Sequence, residues 1–598
     1  MRYKIPAVMT AVILFTLLFA AVHAQTIDNP KSVSEVTLDI VQSGSLYVNG
    51  RIDRANLTLF VLQQGEIDVS ADGANWRYIT DAFGNRLVLI EWSKPSGTIE
   101  YSITTQLKNI ATYLGNEKSL GNDPKYLAET DSIIFSSEIR KTAYPYERTL
   151  KKAAELAIFV NEYMDYDISL VGEQKSSVWA YENRRGVCVE HANLLAALLR
   201  LSDISTRYVV GYAYSTIDKK FIGHTWVEVL AGDGSWIPID PTWLQAGYLD
   251  ATHIKTANLL DGNQRDTLNY IGSGVINWTR AEERFELIDF KLSEIADVSL
   301  AENTFTTNGH GFLKATIKPN GCYIADISPV SCVSVDEPML DILDKNRKFW
   351  LCSETDLYWV FNSANTKTNY VYTCPVSVLD QSGSSTRADI TISGESQPVE
   401  ISISGPSTAL VNEVFVLSAS AENDFIFFSL PATVYNSKDV SLSFSKTGTY
   451  KFYLYSGGSL AERTVNVVEK KSFDLSVSAP LNTTIDKDFI VIVTARNLNN
   501  KEMVVPLKIE FDGNVMQNNY MFRPNEEKTL NFNLSFLSSG RKNIDVSLLS
   551  DTLTTYSRSI MVYEEKKPFG IIDSILKFFS DIIDGISRGI MDLLGGKK

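Results

Sequence analysis

Three residues of this chain have the types and spacing for nucleophilic acyl chemistry: Cys188, His224 and Asp240. Of five cysteines, Cys322, Cys332, Cys352 and Cys374 cluster, which leaves Cys188 on its own. A leftover thiol is a link to another chain, an inert core residue or a reactive group. Within Ser176–Arg200, Gly186 breaks a first short helix, and a second helix is expected from about Cys188 to Leu201. Cys188, Ala192, Leu195 and Leu199 share its apolar face, so the thiol sits at the helix N-terminus and points into the protein. Free N–H groups and the helix dipole favour an anion there. They lower a thiol pKa, and the thiolate is the nucleophile. The backbone N–H of Cys188 is also placed to serve an oxyanion. Taken alone, a cysteine in this position reads more readily as a small buried hydrophobe.

The stretch 223–240, GHTWVEVLAGDGSWIPID, changes that balance. Two strands flank the turn at 231–234, a strong hairpin signal. Centring the turn on Gly232 sets His224 opposite Asp240, Trp226 opposite Pro238 and Glu228 opposite Trp236. Val227 then meets Ile237, and Thr225 meets Ile239, on an apolar face. The pairing predicts a base with its orienting carboxylate: the imidazole takes the thiol proton, and the carboxylate fixes its tautomer. A lone strand histidine is usually a satisfied polar residue, and an aspartate before proline is usually a turn former. The joint arrangement with Cys188 is what chance explains poorly.

These motifs resemble a known family. Residues 186–200 (GVCVEHANLLAALLR), 205–212 (STRYVVGY), 224–229 (HTWVEV) and 236–242 (WIPIDPT) together look like the transglutaminase-like superfamily, over roughly residues 145–260. The resemblance implies an α+β core of papain-like cysteine fold, with Cys188 as nucleophile, His224 as base and acid, and Asp240 as orienter. Arg207, Gly211 and Tyr212 match the strand after the nucleophile helix as structural residues. The superfamily also implies a second oxyanion donor upstream of the nucleophile. Gln174 and Trp179 have the chemistry for it, though Trp179 reads equally as core. His191 is expected to bond at the helix start, and Glu190 to complement the dipole.

Several elements must hold these residues. At 598 residues the chain needs about four folded units. Residues 1–24 read as a secretory leader: Arg2 and Lys4, then an apolar run, then Val22-His23-Ala24. An uncut signal anchor is the alternative. Alternating segments at 25–130 predict an N-terminal β-domain. Helical periodicity begins at Glu147–Tyr163, inside a transglutaminase-like domain at 131–290. A cysteine-containing β-domain is expected at 291–395. Two β-sandwich units of immunoglobulin-domain size are expected at 396–469 and 471–565. In an exported chain the four clustered cysteines read as two disulfides with three connectivities open. Zinc ranks lower, because no C-x-x-C or nearby histidine pair accompanies them.

Residues 569–598 form an amphipathic stripe, with Ile572, Ile575, Phe579 and Ile583 on it and Asp573, Lys577, Asp581 and Asp584 off it. This stretch is too polar to span a bilayer. Lying in a membrane interface is favoured over self-association or docking on its own protein. A net charge of −15 argues against a nucleic-acid partner, since phosphates would be repelled.

The expectation is therefore an exported, secreted or cell-surface cysteine-dependent enzyme acting on a protein or peptide. It would be an amide hydrolase or an acyltransferase, working through a thioester without metal or cofactor. The alternative is a non-catalytic adhesion or assembly protein with a peptide-binding transglutaminase-like domain.

Overall fold

The structure, a computed structural model, describes residues 26–564 except 264–265, 308, 335–336, 364–365, 368, 396–398, 422–423, 469–471 and 551–552. The predicted leader and the predicted C-terminal amphipathic helix lie outside the described residues. Among the described residues, no helix is long and apolar enough to cross a membrane. The chain divides into two compact units, meeting between Val468 and Glu469.

In the first unit, four α-helices lie in the region of the expected site: α1 (Ser137–Ala143), α2 (Leu150–Tyr163), α3 (Ser177–Asn183) and α4 (Cys188–Leu201). Thr149 caps α2 by accepting from Lys152 N, and Leu150, Ala153, Leu156, Ala157 and Val160 bury one face. Helix α3 stops at Arg184, whose φ of 53° is left-handed. Helix α4 differs from a one-faced helix. Every residue from Ala192 to Arg200 is buried, because α1, α2, α3 and a sheet surround it.

That sheet is antiparallel, with order β4-β3-β2-β1-β5: β1 (Thr206–Ser215), β2 (Lys220–Leu230), β3 (Trp236–Asp240), β4 (Gln245–Ala246) and β5 (Ile254–Leu259). The β2–β3 register corrects the one expected from sequence. Val227 pairs with Ile239, Glu228 with Pro238 and Val229 with Ile237. The turn is centred one residue later than Gly232. Asp233 Oδ1 accepts from Ser235 N, Gly234 takes a φ of +84°, and Ala231 N donates to Ser235 O. The index sum grows by two, so the face of each side chain is kept. His224 and Asp240 become diagonal neighbours instead of directly opposed ones.

The remainder of the first unit is β-structure. Strands at 33–49, 66–71 and 97–110 form one sheet, and strands at 52–60, 74–80 and 86–93 form another. Later strands at 267–272, 275–280 and 284–292 return to join these sheets. Two further sheets between 296 and 395 share an apolar core with Leu313, Trp359, Val376 and Ile390. They carry the disulfides Cys322–Cys352 and Cys332–Cys374, which selects one of the three connectivities. A three- and a five-stranded sheet between 402 and 468 enclose Leu417, Phe427 and Phe452. The second unit likewise has a three- and a five-stranded sheet around Phe473, Val491, Phe522 and Val546. Among the described residues the chain is mostly β, with the α-helices gathered between 137 and 201.

Candidate functional site

Cys188 is the first residue of α4 and the free cysteine among the described residues. Glu190 anchors this helix start. Its Oε2 accepts from Val187 N at 3.0 Å, and its Oε1 accepts from Lys175 N at 2.9 Å. Gly186 is needed for this packing, since a Cβ there would lie 2.3 Å from the Glu190 Cβ. His191 Nδ1 lies 2.8 Å from Val187 O, so this histidine serves the same helix start.

His224 comes to the thiol from β2, and Asp240 comes from the end of β3. His224 Nε2 lies 2.9 Å from Asp240 Oδ2, and both side chains are buried. With Nε2 so engaged, Nδ1 remains for the thiol, and the thiol and the ring each shift the other's pKa. Asp240 Oδ1 accepts from the backbone N–H groups of Thr242, at 2.8 Å, and Trp243, at 3.3 Å.

Charge within the group is set by competition between burial and partners. Burial disfavours the Cys188 thiolate, but the hydrogen bond and charge of His224, helped by Thr225, hold the thiol below its ordinary value. Burial also opposes the His224 imidazolium, yet Asp240 and then Cys188 push its pKa up to about 10. Asp240 resists burial in the same way and is held well below the carboxylate range by His224 and His253. The three groups thus favour a thiolate–imidazolium pair resting on a carboxylate.

Two neighbours escaped the sequence reading. The Trp243 ring stacks on His224 at 4.2 Å between centroids and 10° between planes. His253, just before β5, places its Nε2 3.2 Å from Asp240 Oδ2. Scarcity was a usable signal for His253, because the chain has only five histidines. The ligand atoms of His224, Asp240 and His253 lie within 4.8 Å of one another, a donor set a divalent cation accepts. At 2.9 and 3.2 Å, both nitrogens are at hydrogen-bond distance from the carboxylate.

Space adjoins the group on two sides. A cavity of about 640 Å³ is lined by Lys31, Thr242, Trp243, Gln245, Asp250 and Lys348, among others. A second, of about 360 Å³, reaches Gln174, Val189, Tyr208 and Thr225. Gln174 therefore lies on a cavity wall beside the nucleophile helix. Trp179 is half-buried under Lys175 and Arg185, so it is not a core residue. Tyr166 also borders the thiol. Burial, then the Cys188 charge, pushes its phenol up to about 12. Arg207 makes two hydrogen bonds to Glu228 Oε2 and lies over Trp236, an arrangement that ties β1 to β2 and β3.

Comparison with known proteins places the match on this region. Residues 136–241 fit the family model described as the transglutaminase-like superfamily. A protein-glutamine gamma-glutamyltransferase from Pseudomonas aeruginosa is 24% identical over 124 residues, which cover 19% of this chain and 16% of that protein. Among solved structures, a candidate cysteine protease from Cytophaga hutchinsonii covers 43% of this chain and 93% of its own, at 18% identity and a TM-score of 0.32. Red sea bream transglutaminase covers 90% of this chain and 94% of its own, at 10% identity and a TM-score of 0.21. Scores this low leave the assignment to the family model and the residues it spans. Residues 136–241 of this chain are a core domain of the transglutaminase-like superfamily.

Proposed function

We propose that this core carries out thiol-dependent acyl chemistry on a protein or peptide amide, with Cys188, His224 and Asp240 as its catalytic group. The observation that carries the reading is the position of the His224 ring. One nitrogen lies 2.9 Å from a buried carboxylate oxygen, and the ring lies close enough to the one free thiol among the described residues for each to shift the other's pKa. The Cys188 thiolate attacks the amide carbonyl carbon, and the Cys188 N–H at the start of α4 faces the developing oxyanion. The C–N bond breaks as His224 gives its proton to the departing nitrogen, leaving an acyl thioester on Cys188. His224 then takes a proton from water, or from an amine, as that nucleophile attacks the thioester. The acid or the new amide departs and the thiol re-forms. Water is the favoured acceptor. The Pseudomonas relative, named for glutamyl transfer to an amine, covers too little of either chain to decide the acceptor.

Mass spectrometry of a glutamine-containing peptide incubated with the full chain tests this reading. Deamidation adds roughly 1 Da, and cross-linking to an amine removes roughly 17 Da, as transfer to water or to an amine requires. Neither product, together with no cleavage of unfolded protein substrates, would sink the proposal. The reading also places the protein outside the cytoplasm, at the surface or secreted. Its support is the leader-like N-terminus and the two disulfides. The C-terminal amphipathic stripe supplies a peripheral membrane contact in this view.

A further inference from the structure

We infer that the larger cavity beside Trp243 is a subsite for a free amino-acid end, with Asp326 taking its α-ammonium and Lys31 its α-carboxylate. As a substrate subsite it rests on the proposed thiol chemistry of Cys188. It narrows the amide to one made through a side chain, which leaves both α groups of that residue free.

Five charged side chains line this cavity of about 640 Å³: Asp28, Lys31, Asp250, Asp326 and Lys348. Three of them are accounted for. Asp28 is exposed to solvent. Asp250 accepts from Thr252 N at 2.8 Å, from Thr252 Oγ1 at 2.6 Å and from Gln245 Nε2 at 2.6 Å. Lys348 turns to helix α2, where its Nζ lies 3.5 Å from Glu162 Oε1 and donates to Asn161 Oδ1 at 3.2 Å.

Asp326 and Lys31 are left. Asp326 lies in the strand Tyr323–Val330, directly across from Lys348 in the strand Arg347–Leu351. Opposed residues of this kind commonly form a cross-strand ion pair, but Lys348 takes Glu162 instead. Asp326 is only 9% exposed, and among the described residues nothing bonds its carboxylate. It also borders a space of about 10 Å³, room for one water, which solvates a carboxylate without neutralising it. Lys31 has a neutral partner, Gln381 Oε1, at 3.0 Å. The two charges act on each other through space without forming an ion pair. Burial disfavours both, raising the Asp326 pKa and lowering that of Lys31. A buried charge is costly until it is paired. A cation alone would satisfy Asp326 and be repelled by Lys31, and an anion alone would do the reverse. A group with both charges on one carbon satisfies each.

The cavity is close to the thiol chemistry. Trp243 lines it and stacks on His224 at 4.2 Å. Asn161 Nδ2 steadies the same loop by donating to Pro241 O at 3.0 Å and Thr242 O at 3.1 Å. An amino-acid end in the cavity therefore lies one indole away from the imidazole, and a side chain reaching past that ring brings its amide towards Cys188. A residue within a polypeptide has no free α group, and a chain terminus has one of the two. A residue joined through its side chain keeps both. Two kinds share this chemistry: a residue joined by its side-chain acyl group, as in a γ-glutamyl amide, and one joined by its side-chain amine, as in an Nε-acyl lysine.

Calorimetric titration of the full chain carrying Cys188→Ala, which binds without turnover, tests this. The probes are L-glutamine and Nε-acetyl-L-lysine, each beside forms blocked at the α-amino group by acetylation or at the α-carboxylate by amidation. At least one free compound should bind, and its identity tells whether the subsite reads the acyl or the amine side of the amide. Blocking either α group should weaken binding by about ten- to a hundredfold, as loss of one charge-assisted hydrogen bond does. Asp326→Asn should erase the penalty for acetylating the amino group, and Lys31→Met the penalty for amidating the carboxylate. If a variant does not fold, the blocked series still decides. Equal binding of free and blocked forms overturns the inference, and so does binding of neither free compound. Turnover by the wild-type chain separates the two readings. A chain that binds the free compound but turns over no amide keeps the subsite and overturns the thiol reading. A chain that turns over amides without discriminating free from blocked ends keeps the thiol reading and overturns the subsite.

Discussion

Asp240 is buried completely and bonded at both oxygens, so its contribution can be separated from bulk and fold. Asp240→Asn keeps its size but removes the charge that fixes the His224 tautomer. The amide-cleaving or acyl-transfer rate should fall by about 10³–10⁴, as for the equivalent change in a serine triad, with the melting temperature nearly unchanged. A loss below tenfold would mean that His224 is oriented by something else. Trp243 acts on the other side of the same ring. An aromatic stack is worth about 0.5–1.5 kcal/mol, so Trp243→Ala should lower the rate by up to about tenfold. The catalytic candidates were legible because each carries a local sign: a leftover cysteine before an apolar helix, and a histidine and an aspartate around one turn. Trp243 and His253 carry no such sign. They reach His224 only because the chain loops past β3 and comes back through β5.

Helix α4 and the β2–β3 hairpin bring these side chains together, and their boundaries were the most readable part of the fold. Apolar periodicity with Gly186 placed α4 at about Cys188 to Leu201, and the helix spans Cys188–Leu201. The hairpin existed as expected, but its register slipped by two, because Asp233 and Gly234 carry the bend. The even slip preserved which face His224 and Asp240 occupy, and so the two side chains still meet. Gly186 and Gly211 mark where this assembly tolerates nothing larger. A Cβ on Gly211, which pairs with His224, would lie 2.0 Å from Ile254 O at the start of β5. Gly211→Ala should therefore force β1 and β5 apart. It should lower stability by roughly 1–3 kcal/mol in a denaturant titration, the cost of overpacking a filled site. Full stability in that variant would contradict the packing described.

At the scale of the whole molecule, the sequence conveyed mostly-β flanks but not their wiring. Strands 267–292 join sheets begun at 33–60, and no local alternation announces a partner more than 200 residues away. The disulfide pairing was open for the same reason. Loops of the lengths closed by Cys322–Cys352 and Cys332–Cys374 are each worth about 3–4 kcal/mol in the chain-entropy picture. Replacing Cys332 and Cys374 together with serine should lower the stability of the first unit by that order, read by calorimetry. Buried carboxylates give the molecule a pH signature. Asp240, Asp250 and Glu228 oppose burial but are all held below their ordinary values by His224, His253, Lys255 and Arg207. Their stabilisation is present above the unfolded carboxylate range, at about pH 4, and is lost as pH falls below it. The first unit should therefore melt at progressively lower temperature between about pH 4.5 and 2.5. A flat profile would mean that these charges are not formed in the folded state.

The central claim is that His224, backed by Asp240, makes Cys188 a thiolate near neutral pH. The most direct measurement is the rate of Cys188 alkylation by iodoacetamide as a function of pH, in the wild-type chain and in His224→Ala. The account predicts fast alkylation of the wild-type thiol well below an ordinary thiol midpoint of about 8.5, and a return towards that midpoint in His224→Ala. Superimposable profiles, both with an ordinary midpoint, would contradict it.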